Sequence, residues 1–227
     1  MAQVKIDDAF LATTKIFSGT EPNEVMAMRG CLGAYARHFD KGTYIYRTGD
    51  SVSSLGLVLR GGVNVETVDA WGNTNLLSHV GAGQVFAETY AAVPDVPLLC
   101  DVLAVEATDI LFLNVARVLT TCSSNCTHHQ RVVVNLMQIF ARKNLELSKR
   151  AQVVAAKTIR GKVLAYLSIT ATDKGSDEFD IPFNRQQLAD YLGVDRSALS
   201  AELSRMQREG LIETHRSHFV LNSDAVL

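Results

Sequence analysis

The sequence predicts an α+β chain in three parts, and three observations predict it. From about His38 to Leu113, short β-forming runs alternate with glycine turns. From about His128 to Ala156, apolar residues recur at helical spacing. Residues 184–213 then place two short amphipathic helices on either side of Gly193. The boundaries that follow are 1–127, 128–156 and 157–227.

Residues 1–35 read as amphipathic helices, with Phe10, Leu11, Ile16, Phe17, Val25, Met26, Met28 and Leu32 as apolar markers. The β-forming runs are Thr43–Arg47, Leu55–Leu59, Val63–Thr67, Asn75–Val80, Val102–Val105 and Ile110–Asn114. Turn residues fall between them: Gly42, Gly49-Asp50, Gly61-Gly62, Trp71-Gly72-Asn73 and Gly81-Ala82-Gly83. Strands this short and evenly spaced predict a β-sandwich, roll or barrel.

In the long helix, Met137, Phe140, Asn144, Leu147, Ala151 and Val154 are spaced by alternating threes and fours. That is a seam of a and d positions, and a helix carrying such a seam is expected to pair with a second copy of itself. One Asn on the seam, Asn144, sets register at some cost in stability. A further helix is expected over Thr158–Thr170, followed by a polar loop over Thr172–Phe179.

Asn184 is a good N-cap, and Leu188, Ala189 and Leu192 form one apolar face of a short helix. Gly193 ends it, and Asp195 can cap a second helix almost at once. Two helices joined by so short a turn cross steeply, which lets the second enter a major groove. There Leu199, Leu203 and Met206 face inward, leaving Arg196, Ser197, Ser200, Ala201 and Ser204 outward. An arginine near the helix start, with small side chains behind it, suits close approach to phosphates and base edges. After Gly210, Leu211–Thr214 and His218–Leu221 form a hairpin around Arg216-Ser217, which predicts a wing. The expected partner is double-stranded DNA. An αα-hairpin of purely structural use is the alternative.

Composition narrows the remaining classes. The 227 residues are 47% hydrophobic and 20% charged, as in a globular protein. Neither a bilayer-spanning run nor a signal sequence is present, so no membrane partner is expected and the expected compartment is cytoplasmic. The net charge of −2 favours a specific, salt-sensitive reader of DNA over a nonspecific coater. Cys31, Cys100, Cys122 and Cys126 do not form a disulfide scaffold, and Cys122 and Cys126 are the one close pair.

The order of these parts resembles the CRP/FNR superfamily of bacterial transcription regulators, from about His38 to Asn222. Residues 42–50 (GTYIYRTGD) look like its early roll motif and residues 57–65 (LVLRGGVNV) like its next hairpin. Residues 81–88 (GAGQVFAE) resemble the entry to its effector pocket. The resemblance implies a β-roll of the cyclic-nucleotide-binding kind (a double-stranded β-helix), a long dimerisation helix and a C-terminal winged helix-turn-helix. It further implies a homodimer on a palindromic site, allosteric control by a small molecule, and RNA polymerase as a further partner.

In cyclic-nucleotide-binding relatives the pocket supplies a Gly-Glu pair and then an Arg-Ser/Thr pair. Here Ala87-Glu88 takes the first place and Leu98-Leu99 the second. Leucine cannot neutralise a cyclic phosphate, and an unpaired anion in a partly buried site is costly. The effector is therefore expected to be neither cAMP nor cGMP. The expected pocket comprises Val85, Phe86, Glu88, Tyr90, Leu98 and Leu99, with Phe140, Lys143 and Asn144 from the helix. Such a lining suits an apolar or aromatic molecule with one polar handle.

The DNA contacts expected from orientation and resemblance are Arg196 and Ser197 to bases, Arg185 and Gln186 to phosphates, and Ser200 and Ala201 in the groove. Many relatives carry an arginine that reads guanine where this chain has Ala201, so its base preference should shift toward a thymine methyl. No metal or cofactor is required by the sequence. A haem- or thiol-based sensor of the same fold is the alternative, with His38, His79, His128 or His129 as an axial ligand. An iron–sulfur sensor needs clustered N-terminal cysteines, and only Cys31 lies there. Residues 81–87 also match a dinucleotide-binding G-x-G-x-x-A string, but they lie among short strands without a βαβ unit. No enzyme is expected.

Overall fold

The computed structural model describes residues 4–68, 72, 74–120 and 127–222. Contacts divide it into two compact units, Met1–Ala141 and Arg142–Leu227. Each is described by itself.

The first unit opens with α1 (Asp8–Thr13), capped by the Asp7 carboxylate, and α2 (Pro22–Met28), closed by a capping box between Glu21 and Glu24. Two antiparallel four-stranded sheets follow. One contains, in spatial order, β1 (Tyr35–Phe39), β8 (Thr108–Asn114), β3 (Ser54–Arg60) and β6 (Val85–Phe86). The other contains β2 (Tyr44–Tyr46), β7 (Asp101–Ala104), β4 (Gly62–Val68) and β5 (Thr74–Gly81). Short helices α3 (Glu88–Ala92) and α4 (Val115–Leu119) flank them, and α5 (Thr127–Ala155) begins after residue 126.

The run Ile110-Leu111-Phe112-Leu113 is continuously apolar because β8 is buried on both faces. Leu55, Leu57, Leu111 and Leu113 pack with Leu11, Phe17, Met28 and the α5 residues Val132, Leu136 and Ile139. Their strand neighbours Val58, Ile110 and Phe112 turn the other way and meet Val63, Val102 and Ala104 of the second sheet. Side chains alternate along a strand, so one sheet serves two cores.

Gly56 lies opposite both Phe112 and Phe86 in the ladder. The Phe86 ring covers it so closely that a β-carbon there would stand 2.2 Å from the ring.

The second unit holds the C-terminal part of α5, then α6 (Ile159–Lys174), β9 (Glu178–Asp180), α7 (Arg185–Leu192), α8 (Arg196–Arg208), β10 (Ile212–His215) and β11 (His218–Leu221). Its core joins Val153 and Val163 to Leu188, Leu192, Leu199, Leu203, Met206 and Phe219. The three strands form an antiparallel sheet in the order β10-β11-β9.

Several elements go beyond the sequence reading. The stretch expected to be a polar loop over Thr172–Phe179 divides between the last turn of α6, ended by Gly175 in the left-handed region, and β9. Only Phe179 is buried in β9, so three residues carry little periodic signal. β6 has two residues and β1 is exposed along much of its length, which hid both. The Cys122–Cys126 pair lies outside the described residues, and Cys100 is buried, which raises its thiol above the usual range.

The four histidines considered for haem each have a protein partner. His38 Nδ1 is 2.6 Å from Asp109, His79 Nδ1 is 2.9 Å from Asn64, and His128 Nδ1 is 3.0 Å from Glu24. His129 Nε2 donates to the Val118 carbonyl at 2.8 Å. Among the described residues, no group of three His, Cys, Asp or Glu side chains could hold a metal ion, and no helix is long and apolar enough to cross a membrane.

Replacing Gly56 with alanine should force the Phe86 ring out of its seat between the sheets. An overpacking cost of about 1–3 kcal/mol is expected, read as a lowered urea midpoint with an unchanged slope.

Candidate functional site

The helix pair of the second unit is built by its caps. Asn184 accepts from the Gln187 amide at 3.0 Å, while the Gln187 side chain accepts from the Asn184 amide at 2.9 Å. Gly193, at φ +62°, ends α7. Asp195 starts α8 two residues later by accepting from the Ala198 amide at 2.9 Å. The Ser197 hydroxyl, 2.5 Å away, and the Ala198 amide hold the Asp195 carboxyl below the usual carboxylate range.

Leu199, Leu203 and Met206 of α8 are buried, and the other side is solvent-facing. Arg196, Ser197, Ala201 and Ser204 are exposed there, with Ser200 half-buried beside them. Ser200 and Ser204 donate to the carbonyls of Arg196 and Ser200 at 2.9 and 3.0 Å. Their hydroxyl oxygens thus remain outward as acceptors. Arg205 is engaged with Glu202, and the Arg208 Nε donates to the Ser204 carbonyl. Among the described residues, the Arg196 guanidinium has no protein partner. The result is a shallow surface with one unengaged cation at its N-terminal end.

The two residues expected at phosphates differ. Gln186 is exposed on α7 and donates to Asp190 at 2.8 Å. Arg185 is turned inward. Its Nη2 donates to the Thr214 hydroxyl at 3.0 Å, and its guanidinium lies 5.3 Å from the Phe219 ring centre. Burial lowers its pKa, and its visible task is to fasten α7 to the wing. Sequence alone offered no sign of this, because β10 and β11 supply the partners.

The residues expected around an effector are also divided. Val85 and Phe86 are neighbours on β6 and face opposite ways, Val85 into the helical core and Phe86 between the sheets. Both are packing residues, so they do not line one pocket together. Ala87 follows at φ +57°, a left-handed conformation that an alanine adopts only under strain. It introduces α3, where Glu88 is buried and accepts from the Thr89 hydroxyl at 3.1 Å. Tyr90 is half-buried.

Leu98 is buried and its backbone pairs with Asp50 and Gly49, whereas Leu99 is 69% exposed. Val93 and Val96 are exposed on the same segment. Phe140 packs against the first unit's core, while Lys143 and Asn144 belong to the second unit.

Two family models match the chain. That of the cyclic nucleotide-binding domain covers residues 36–125, and that of the Crp-like helix-turn-helix domain covers residues 161–226. The chain belongs to the CRP/FNR superfamily of transcription regulators. The probable transcriptional regulator flp of Lacticaseibacillus casei is 33% identical over 101 residues, which is 41% of this chain. That match spans 46% of the flp protein, less than half of its length.

CRP/FNR architecture is also shared with solved structures. The catabolite activator protein of Thermus thermophilus aligns with a TM-score of 0.50 at 23% identity, over 94% of this chain and 96% of that one. The c-di-GMP responsive global regulator CLP of Xanthomonas campestris gives a TM-score of 0.58 at 16% identity, over 88% and 99%.

Because Ala87 holds a positive φ, Ala87→Gly should relieve strain. The relief of about 1–2 kcal/mol is partly offset by about 0.4–1 kcal/mol of added unfolded-chain entropy. A small rise in the urea midpoint is the expected reading.

Proposed function

We propose that this chain is a homodimeric, sequence-specific DNA-binding regulator whose roll responds to a small molecule other than cAMP or cGMP. The observation that carries the reading is the outward face of α8, where an unengaged Arg196 stands above Ser197, Ser200, Ala201 and Ser204. Paired α8 helices would enter successive major grooves of a palindromic site. Arg196 suits the two acceptors of a guanine edge, and Ala201 suits a thymine methyl. Gln186 is the candidate phosphate contact from α7, and RNA polymerase is the further partner.

The seam of α5 supports self-association. Met137, Leu147 and Val154 are 57%, 68% and 42% exposed, and Asn144 and Ala151 are exposed beside them. Large apolar side chains left open along one helix call for a covering surface, and a second copy of the same seam supplies one. Phe140 is half-buried and completes the series.

The choice of effector rests on Leu98-Leu99. Neither side chain can balance a phosphate, so a cyclic nucleotide would bring an uncompensated anion. Glu88, Tyr90 and the exposed apolar residues Val93, Val96 and Leu99 instead suit an apolar or aromatic molecule with a polar handle.

Operator selection from random DNA tests the reading directly. With the selected site, Arg196→Ala should lose about 1–3 kcal/mol of specific affinity, the worth of a bidentate base contact, while sedimentation still reports a dimer. A retained footprint would assign recognition to other residues. In Asn144→Leu the dimer should tighten and the effector response weaken, since a polar seam residue trades stability for register. Unaltered sedimentation and unaltered response would remove Asn144 from the switch.

A further inference from the structure

Arg160 stands in the first turn of α6, held there by the Thr158 cap, whose hydroxyl accepts from the Gly161 amide at 3.0 Å. Its guanidinium reaches two carboxylates, that of Glu202 in α8 and that of Glu209, the residue that caps the C-terminal end of α8. Nε donates to Glu202 at 2.7 Å, Nη1 lies 2.7 Å from one Glu209 oxygen, and Nη2 donates to the other at 3.1 Å. The second Glu202 oxygen is 3.3 Å from Arg205 of the same helix. The Glu202 side chain is 12% exposed and that of Arg160 34%, so this is a partly desolvated network.

Helical geometry gives the network its meaning. At about 100° per residue, positions seven apart fall nearly on one line, so Glu202 and Glu209 form a two-point grip. That line runs along the flank of α8, between its buried face (Leu199, Leu203, Met206) and the groove-facing strip of Ser200, Ala201 and Ser204. A fork fixed at two points two turns apart resists both rotation and tilt of the helix, which a single ion pair does not. Arginine suits this task because its planar donors engage two carboxylates at once. The carboxylates raise the Arg160 pKa further, and the guanidinium holds Glu209 below the usual range.

We infer that Arg160 is a positioning residue for DNA recognition, which sets the angle of α8 through Glu202 and Glu209 without itself contacting DNA. The inference rests on the reading of α8 as the recognition helix. It adds a specificity determinant that lies outside the helix-turn-helix and acts through its flank.

The test uses the full chain and the operator selected from random DNA. Specific and nonspecific affinities are measured across a salt series for the wild type, Arg160→Gln, Arg160→Lys and Glu209→Gln. Arg160→Gln should lose at least about tenfold in specific affinity, the size of a misplaced base contact. Nonspecific affinity and the slope of log K against log salt should stay as in the wild type. Arg160→Lys should recover only part of the loss, since a lysine cannot fork. Glu209→Gln removes one exposed arm of the grip, so it keeps the test open where Arg160→Gln does not fold, and it should show a smaller loss of the same kind.

Specific affinity unchanged in both Arg160→Gln and Glu209→Gln would overturn the inference. So would a slope reduced by about 0.9, the signature of one lost phosphate contact. A wild-type chain that enriches no sequence would overturn the DNA reading itself, which separates the two failures.

Discussion

The central strands β3 and β8 must bury both of their faces, and the roll is arranged around that requirement. Alternate side chains leave for different cores, so Leu55, Leu57, Leu111 and Leu113 serve the helical side and Val58, Ile110 and Phe112 the inter-sheet side. Gly56 is the one place on β3 where the inter-sheet side has no side chain, and the Phe86 ring fills it. That packing in turn places β6 beside β3, and the segment that follows returns Ala91 and Leu98 to the interior while Val93 to Pro97 stay exposed. Apolar runs without alternation are what such a doubly covered sheet requires.

The same constraint shapes the candidate effector segment. With Val85 and Phe86 committed to packing, the segment holds Glu88 buried and leaves Val93, Val96 and Leu99 as open apolar surface. Ala87 carries the chain between these roles in a strained conformation. Strain of this kind persists only where surrounding structure over-determines it, and here β6 and α3 do so on either side.

In the second unit the dominant theme is restraint of side chains that composition would count as free. The chain has 22 Lys and Arg against 24 Asp and Glu. Around α8, however, Arg160 and Arg205 are bound to glutamates, Arg208 to a carbonyl, and Arg185 to the wing. Among the described residues, Arg196 is left as the unengaged cation on the outward face of α8. Under the proposed function, such a surface draws little on general attraction to phosphates and relies on the placement of α8, which is where the inferred role of Arg160 enters.

Local signals were sufficient for the helix-turn-helix and the long helix. Asn184, Gly193 and Asp195 are caps whose chemistry acts within a few residues, and the apolar spacing of Leu188–Leu192 and Leu199–Met206 reports burial directly. The strands with clear turn signals were legible for the same reason. β1, β6 and β9 were not, because each is short or mostly exposed and exists through its partners in the ladder. Resemblance to a family, carried by glycine spacing, added the roll topology and the absent arginine at Leu98-Leu99. Contacts between residues distant in sequence decided the rest. Val85 and Phe86 parted because a strand has two faces, Arg185 turned inward because Thr214 and Phe219 lie beneath it, and Arg160 found Glu202 and Glu209 across a helix crossing. The sequence by itself determined which segments could be helix or strand and which face of α8 is open. Tertiary structure decided which charges remain available to a ligand, because long side chains choose partners in space that sequence spacing does not reveal.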